Sequence, residues 1–203
     1  YGDNLDVLRR YVADESVDLV YLDPPFNSNA TYNVLFAEHT GEKAASQIKA
    51  FEDTWTWDEE AARSYFETVQ QGGQVANALQ AFRTLLGDSN MMAYLAMMAP
   101  RLVELRRVLK ETGSIYLHCD PTASHYLKLL MDAVFGGDRF LNEIVWHYQT
   151  SGGAPKKTLV RNHDTIFRYC KGPMRDITWT HPREPWSEKT LKKWQRDEEG
   201  RIY

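Results

Sequence analysis

The sequence predicts an α/β fold, in which the strands of a sheet are separated by helices. Two short runs of apolar, β-favouring residues, 17–22 and 114–118, each end in polar residues followed by proline. A long apolar pattern with helical spacing precedes the second run, and another follows it. Strands that alternate with helices indicate an α/β sheet, where ligands bind beyond the carboxyl ends of the strands. The polar residues after both runs therefore predict a site at that edge.

The first strand, 17–22, is expected to be buried because Asp18 is its one polar residue. Asp23-Pro24-Pro25 ends it in a rigid turn, since proline cannot continue a central strand. Two further strands are predicted at 144–148 and 165–169. The composition of residues 150–157 predicts a loop between them.

A helix is predicted before the second strand, because apolar residues recur there at spacings of three and four. The predicted apolar stripe is Met91, Leu95, Met98, Leu102, Leu105 and Leu109. Residues 88–90 supply candidate N-caps. Pro100 lies inside the pattern and is expected to kink or split the helix.

The next helix is expected to begin at Asp120-Pro121, with the aspartate as N-cap and the proline at the first helical position. Its predicted buried face is Tyr126, Leu130 and Val134. Gly136-Gly137 is expected to end it.

The composition is that of a folded chain, with 43% apolar and 26% charged residues among 203. It excludes disordered and low-complexity classes. Residues 151–203 carry a net charge of +5 and residues 1–150 a net charge of −9. A basic end on an acidic body suits a polyanionic partner, although chance segregation of surface charge explains the same numbers.

The two cysteines, Cys119 and Cys170, lack the spacing of a disulfide framework and favour a reduced, intracellular setting. Cys119 is interpreted as a small buried residue rather than a nucleophile. No apolar run is long enough to span a bilayer, and the N-terminus has no signal-peptide pattern. The sequence lacks an initiator Met and stops among charged residues, so we expect a piece of a longer protein.

Asp23-Pro24-Pro25-Phe26 places a carboxylate, a rigid carbonyl and an aromatic ring at the mouth of the first strand. An amine attached to a planar heterocycle is a poor nucleophile, because its lone pair is delocalised into the ring. The Asp23 carboxylate and the Pro24 carbonyl can accept its two N–H bonds and favour the reactive tetrahedral nitrogen. Phe26 can stack on the ring. The alternative is a proline turn whose aspartate caps a helix and whose Phe packs inside.

Segments along almost the whole chain resemble the amino-methyltransferases that modify adenine in DNA, of the circularly permuted (beta) class of restriction-modification systems. The main segments are Val-Asp-Leu-Val-Tyr-Leu-Asp-Pro-Pro-Phe-Asn at 17–27 and Gly-Ser-Ile-Tyr-Leu-His-Cys-Asp at 113–120. Shorter ones lie at 2–4, 50–57, 93–98, 101–105, 140–146 and 163–166. The resemblance implies a Rossmann-like S-adenosylmethionine-dependent methyltransferase sheet, incomplete here, and a target adenine flipped out of double-stranded DNA.

The resemblance also implies roles for individual residues. The catalytic residues are then Asp23, Pro24, Pro25 and Phe26, and the aspartate resembles the adenine enzymes more than the cytosine-amino ones. The predicted cofactor contacts are Asp3, Asp23, His118 and Asp120. For Asp120 an N-cap role is the favoured alternative, and for Asp3 a turn role is equally weighted. No metal site is expected.

Two segments are predicted to contact DNA. Residues 26–58 are interpreted as a lid over the flipped base, or alternatively as a surface loop whose aromatic residues are pinned to the core. The residues of this segment that are predicted to bind DNA are Asn27, Ser28, Asn29 and Tyr32. Beside the glycine-rich loop, Lys156, Lys157 and Arg161 are candidate phosphate contacts, with a solvated loop as the alternative.

We divide the chain into a partial catalytic methyltransferase domain, 1–150, and residues 151–203, which hold the remaining strand and the start of a target-recognition region. The resemblance implies double-stranded DNA as partner, with a homodimer and a restriction nuclease subunit as further candidates and no membrane. It also implies a prokaryotic, cytoplasmic, nucleoid-associated protein. Competing functions are a DNA-binding subunit without catalysis and an amino-methyltransferase acting on cytosine N4 or RNA.

In this class the glycine-rich loop for the cofactor is expected C-terminal to the residues present here. The sequence contains no Phe-x-Gly-x-Gly pattern, and Phe135-Gly136-Gly137-Asp138 is expected to end a helix instead. We therefore expect the 203-residue chain alone to bind S-adenosylmethionine weakly or not at all. Calorimetric titration measures this affinity, and low-micromolar binding would contradict the expectation.

Overall fold

The computed structural model describes residues 2–25, 31–34, 48–52, 55–149, 156–177 and 179–180, with the backbone alone for 31–34 and 48–52. The described helices are α1 (Asn4–Tyr11), α2 (Glu59–Gln70), α3 (Gly73–Leu86), α4 (Asn90–Val108) and α5 (Ser124–Phe135). The described strands are β1 (Val17–Leu22), β2 (Thr31–Val34), β3 (Ile48–Glu52), β4 (Leu109–Cys119), β5 (Phe140–His147) and β6 (His163–Cys170). None of the described helices is long and apolar enough to cross a membrane.

Four strands form one mixed sheet in the order β1-β4-β6-β5. β1 and β4 are parallel, whereas β6 is antiparallel to both β4 and β5. The predicted α/β class is therefore confirmed. Because β6 runs in the opposite direction, its first residues lie at the edge of the sheet where β1 and β4 end.

Alternate residues of the sheet join one apolar core with the helices. Ile115 and Leu117 of β4 and Phe167 and Tyr169 of β6 belong to the same buried cluster as residues of α2, α3, α4 and α5. These side chains share one face of the sheet because side chains alternate along a strand.

The prediction that β1 is buried is wrong for half of the strand. Val20 and Leu22 pack on the core, whereas Leu19 and Tyr21 are more than half exposed. In the described part of the chain β1 lies at an edge of the sheet, and its second face has no layer of helices against it. A run of apolar residues predicts a strand, but it does not by itself say which of its faces is covered.

Helix α4 is buried on several of its faces rather than along a single stripe. Its buried residues are Met92, Ala93, Tyr94, Leu95, Ala96, Met98, Ala99, Pro100, Leu102, Leu105 and Val108. It contacts α1, α2, α3 and α5, so the predicted single apolar stripe was too narrow. Its N-cap is Ser89, as predicted, whose hydroxyl accepts from the Met92 N–H at 3.3 Å. Leu109 was predicted on the helix and is instead its C-cap and the first residue of β4.

Pro100 does not split α4, so that part of the prediction is wrong. A proline inside a helix leaves the carbonyl four residues earlier without its backbone donor. Here that carbonyl belongs to Ala96, and the Ser64 hydroxyl of α2 donates to it at 2.8 Å. The Arg101 guanidinium also donates to the Met97 carbonyl at 2.9 Å. A donor from the neighbouring helix thus replaces the bond that proline removes.

The start predicted for the helix after β4, with Asp120 as N-cap, is wrong by a turn, because α5 begins at Ser124 with Ala123 as its N-cap. Asp120 instead caps the turn that leads into the helix. Asp120 Oδ1 accepts from the N–H groups of Thr122 and Ala123 at 3.0 and 3.2 Å. Pro121 lies in the turn that follows, and the regular helix begins at Ser124. Gly136 ends α5 with a φ of 99°, a conformation that suits glycine.

The strands predicted at 144–148 and 165–169 are present as β5 and β6, with different ends. Helices α1, α2 and α3 were not predicted from the sequence. Residues 26–58, interpreted as a lid or loop, contain the antiparallel pair β2-β3. These two strands are too short for the alternation of apolar and polar residues to distinguish them from a loop.

The two leucines Leu127 and Leu129 of α5 form a matched pair for testing this packing. Leu127→Ala should lower the free energy of unfolding by about 2–5 kcal/mol, because Leu127 is fully buried in the core. Leu129 is 55% exposed, so Leu129→Ala should change it by no more than about 0.5 kcal/mol. Urea denaturation measures both changes, and equal losses would contradict the orientation of α5.

Candidate functional site

Asp23 directly follows β1, and its carboxylate is 59% exposed. Pro24 is buried and Pro25 is half-buried. The double-proline corner is therefore anchored on the protein while the carboxylate in front of it faces solvent. This arrangement matches the predicted position of Asp23 at the mouth of the first strand.

His118, near the end of β4, is brought to Asp23 by the pairing of β1 with β4. The register sets Leu22 opposite Leu117, so the next residue of each chain segment is also adjacent. The imidazole Nδ1 of His118 lies 3.1 Å from Oδ1 of Asp23. Both residues were predicted at the site, and the structure brings them into contact.

Asp164, the second residue of β6, lies on the other side of the His118 ring. Its Oδ2 is 3.4 Å from the imidazole Nε2. The His118 side chain is 18% exposed, and so is that of Asp164. Each ring nitrogen of His118 therefore faces a carboxylate oxygen. A neutral imidazole donates its single N–H to one of the two carboxylates, whereas an imidazolium donates to both.

Tyr148, which follows β5, adds a further hydrogen bond to the contacts between Asp23, His118 and Asp164. Its hydroxyl donates to Oδ1 of Asp164 at 3.4 Å. Partial desolvation, together with the negative charge of Asp164, raises the pKa of the Tyr148 hydroxyl and keeps it a donor at neutral pH. We call Asp23, His118, Asp164 and Tyr148 the strand-end network, since each lies at or beside the same edge of a different strand.

Asp164 and Tyr148 were not predicted as site residues. Asp164 comes directly before the strand predicted at 165–169, and in a parallel strand that position would lie at the opposite edge of the sheet. The antiparallel direction of β6 places it beside His118 instead. An acidic residue next to a strand was the available signal, and it did not reveal the direction of that strand.

The Cys119 thiol beside this network is completely buried. It donates to the Thr165 carbonyl at 3.6 Å. Burial, with a smaller effect of the Asp120 carboxylate, raises the pKa of Cys119 to about 12. A thiol that stays protonated is a weak nucleophile, so the interpretation of Cys119 as a small buried residue is confirmed.

Asp3 occupies the start of α1. Its Oδ1 accepts from the Leu5 N–H at 2.8 Å and its Oδ2 lies 2.6 Å from Nη2 of Arg101. The turn role weighed for Asp3 is therefore confirmed as a helix cap. The same carboxylate is half exposed and lines a cavity of about 740 Å³ bordered by α1, α2 and α4.

The lining of this cavity carries charges of both signs, with an excess of acidic groups. The acidic residues are Asp3, Asp6, Asp58, Glu60 and Glu67, and the basic ones are Arg9, Arg63 and Arg101. The lining also contains Trp55, whose buried Nε1 has no acceptor among the described residues. Carboxylates favour a positive charge, and an unpaired indole N–H favours a ligand that carries an acceptor.

The other predicted cofactor contacts do not line this cavity. Asp23 and His118 belong to the strand-end network. Asp120 uses its Oδ1 on the turn before α5, and its Oδ2 accepts from the Thr122 hydroxyl at 2.9 Å. Their roles toward a cofactor remain predictions.

Several of the predicted contacts lie outside the described residues, namely Phe26, Asn27, Ser28, Asn29 and the side chain of Tyr32. The aromatic residues at the end of 26–58 are described. Trp55 and Trp57 pack against the core, and Arg83 lies 4.7 Å from the Trp57 ring centre. For these two residues the alternative of aromatic side chains pinned to the core is correct.

Lys156, Lys157 and Arg161 are exposed. They form no ion pair with another described residue, so their charges are available to an external partner. This exposure is compatible with both the phosphate contact and the solvated loop that the sequence left open.

A family model named N6_N4_Mtase and described as DNA methylase matches residues 17–202. The chain belongs to this DNA methylase family. The StyLTI Mod subunit, from a type III restriction-modification enzyme of Salmonella typhimurium, is 31% identical over 71% of this chain and 19% of that protein. The EcoPI Mod subunit of Escherichia phage P1 is 26% identical over 98% of this chain and 28% of that protein.

The Type II methyltransferase M.EcaI of Enterobacter cloacae is 26% identical over 100% of this chain and 35% of that protein. The predicted resemblance to restriction-modification methyltransferases is thus confirmed. This chain of the DNA methylase family spans between about a fifth and a third of the length of these relatives. A solved DNA modification methylase from Thermus thermophilus has a TM-score of 0.40 and 16% identity over 95% of this chain and 56% of that one.

Proposed function

We propose that the protein transfers a methyl group from S-adenosylmethionine to N6 of an adenine flipped out of a specific site in double-stranded DNA. The observation that carries the proposal is the Asp23 carboxylate, exposed on the buried Pro24 corner in a chain of the DNA methylase family. Flipping is part of the proposal because the adenine amine is not accessible to such a carboxylate inside a duplex.

Asp23 acts as an acceptor for the amine. Its Oδ1 faces His118, which leaves Oδ2 to accept one N–H of the adenine amine. The Pro24 carbonyl accepts the other N–H, and Phe26 stacks on the ring. Two fixed acceptors hold the nitrogen with its lone pair directed away from the ring.

When bound, S-adenosylmethionine supplies an electrophilic methyl group on a positively charged sulfur. The amine nitrogen, held by its two acceptors, would take this methyl group and would then release one proton to solvent. Asp23 therefore orients the amine rather than removing its proton beforehand. Asp3 and Trp55 are the residues that would hold the cofactor, since the lining they share has an excess of carboxylates over guanidinium groups and a buried indole N–H with no described acceptor.

The DNA backbone is proposed to contact Lys156, Lys157 and Arg161, whose charges are exposed and unpaired within the described chain.

We retain the division into a partial catalytic domain, 1–150, and a region 151–203 that begins target recognition. Because relatives are named as Mod subunits of type III restriction-modification enzymes, association with a nuclease subunit is proposed, as is a homodimer. The proposed location is the cytoplasm, where the DNA substrate lies.

Asp23→Ala in the complete gene product should lower kcat for methyl transfer at least about 100-fold, because it removes an acceptor that orients the amine. Its affinity for duplex DNA should change little, since phosphate contacts supply most of that affinity. Transfer of labelled methyl groups to duplex DNA measures the first effect, and fluorescence anisotropy measures the second. Asp18→Ala is the matched control, because Asp18 is an exposed carboxylate of the same strand.

Mass spectrometry of nucleosides from the wild-type reaction decides between the proposal and its alternatives. N6-methyladenine in DNA is the expected product. N4-methylcytosine or a methylated RNA nucleoside would instead identify a different amino-methyltransferase. DNA binding without any methylated nucleoside would indicate a recognition subunit, for which an intact Asp23-Pro24-Pro25-Phe26 motif has no evident use.

Replacing Lys156, Lys157 and Arg161 by Gln should weaken binding to duplex DNA of any sequence. Each phosphate contact contributes about 0.9 to the slope of log K against log salt, so three lost contacts should reduce that slope by about 2.7. Anisotropy titrations at several salt concentrations measure this slope.

A control outside residues 151–203 separates contact from net charge. Arg10 and Arg106 are exposed on α1 and α4, and their replacement by Gln removes two of the three charges. We expect the control to leave the salt slope unchanged. A reduction of the slope by about 1.8, in proportion to the charge removed, would show that Lys156, Lys157 and Arg161 make no local phosphate contact.

A further inference from the structure

We infer that His118 is a positioning residue that orients the Asp23 carboxylate through Nδ1 and is itself oriented by Asp164 through Nε2. This inference deepens the proposed function and rests on it, because it concerns the carboxylate that receives the adenine amine. It adds His118, Asp164 and Tyr148 to the groups on which the geometry of methyl transfer depends.

The need for positioning follows from where Asp23 lies. Its side chain follows the end of β1 and is 59% exposed, so packing holds it less firmly than it holds a buried side chain. The Nδ1 of His118 at 3.1 Å engages Oδ1 and leaves Oδ2 for the amine. A catalytic acceptor must be held close to its productive geometry, because a displacement of about 1 Å can cost about 100-fold in rate.

His118 is suited to this role because it lies on the middle one of three neighbouring strands. β4 pairs with β1 on one side and with β6 on the other. The two nitrogens of one imidazole ring therefore reach Asp23 on the β1 side and Asp164 on the β6 side. The ring is largely buried, at 18% exposure, which restricts it further.

Asp164 is restrained in its turn. Its Oδ2 faces His118, and its Oδ1 accepts from the Tyr148 hydroxyl at 3.4 Å. The restraint thus passes from Tyr148 through Asp164 and His118 to Asp23. The two middle members are mostly buried, while Asp23 at the end is open to a substrate.

Two amide substitutions separate the two contacts of His118. The amide nitrogen of asparagine occupies roughly the position of Nδ1, so His118→Asn keeps the contact with Asp23 and loses the contact with Asp164. The amide nitrogen of glutamine occupies roughly the position of Nε2, so His118→Gln keeps the contact with Asp164 and loses the contact with Asp23. A merely structural role does not predict a difference between these variants in that direction.

In the complete gene product we expect His118→Gln to lower kcat for methyl transfer about 10-fold to 100-fold, with the KM for DNA nearly unchanged. We expect His118→Asn to recover most of the wild-type kcat. The matched control is His125→Gln, the same substitution at an exposed histidine of α5, which should have no effect. Equal losses in the Asn and Gln variants, or no loss in either, would overturn the inference.

A second readout is independent of activity. In ¹⁵N NMR spectra of the histidine rings, Asp23→Asn should shift the Nδ1 resonance of His118 more than its Nε2 resonance, and Asp164→Asn should do the reverse. An Nδ1 resonance that does not respond to Asp23→Asn would overturn the contact and the inference with it. If the wild-type protein transfers no methyl group, the proposed function is what fails, while the NMR experiment still decides whether His118 holds Asp23.

Discussion

The parallel pairing of β1 with β4 is the constraint on which the candidate site depends. With Leu22 opposite Leu117, the residues that follow them, Asp23 and His118, come within reach of each other. A shift of one residue would place Leu117 or Cys119 beside Asp23, and both of these are buried on the covered face of the sheet. Because side chains alternate along a strand, the buried face fixes the register, and the register places the two polar side chains.

The exposed fraction of the side chains differs along the strand-end network. Its middle members, His118 and Asp164, are mostly withdrawn from water, whereas Asp23 is open. Hydrogen bonds between partly buried groups are less disturbed by water, so the middle of the network holds its shape. The neighbouring Cys119 contributes no charge, since its pKa of about 12 keeps it a neutral thiol at neutral pH.

The pairing of α2 with α4 connects the packing of the core to the second candidate site. Ser64 donates to the Ala96 carbonyl that Pro100 leaves unpaired, and this bond joins the two helices. Arg101, the next residue along α4, bonds both the Met97 carbonyl and the Asp3 carboxylate. Ser64, Arg101 and Asp3 all line the cavity of about 740 Å³. The interactions that keep α4 continuous therefore also shape this cavity.

The sequence alone determined the features that depend on neighbouring residues. The bounds of β1, the cap at Ser89, the end of α5 at Gly136 and the double-proline corner at Asp23 all follow from side chains within a few positions. The tertiary structure decided which face of β1 is covered and why Pro100 leaves α4 continuous. It also decided the direction of β6, which joins His118 to Asp164 across 46 positions of sequence. Such contacts depend on how the elements pack, and no local pattern of residues carries that information.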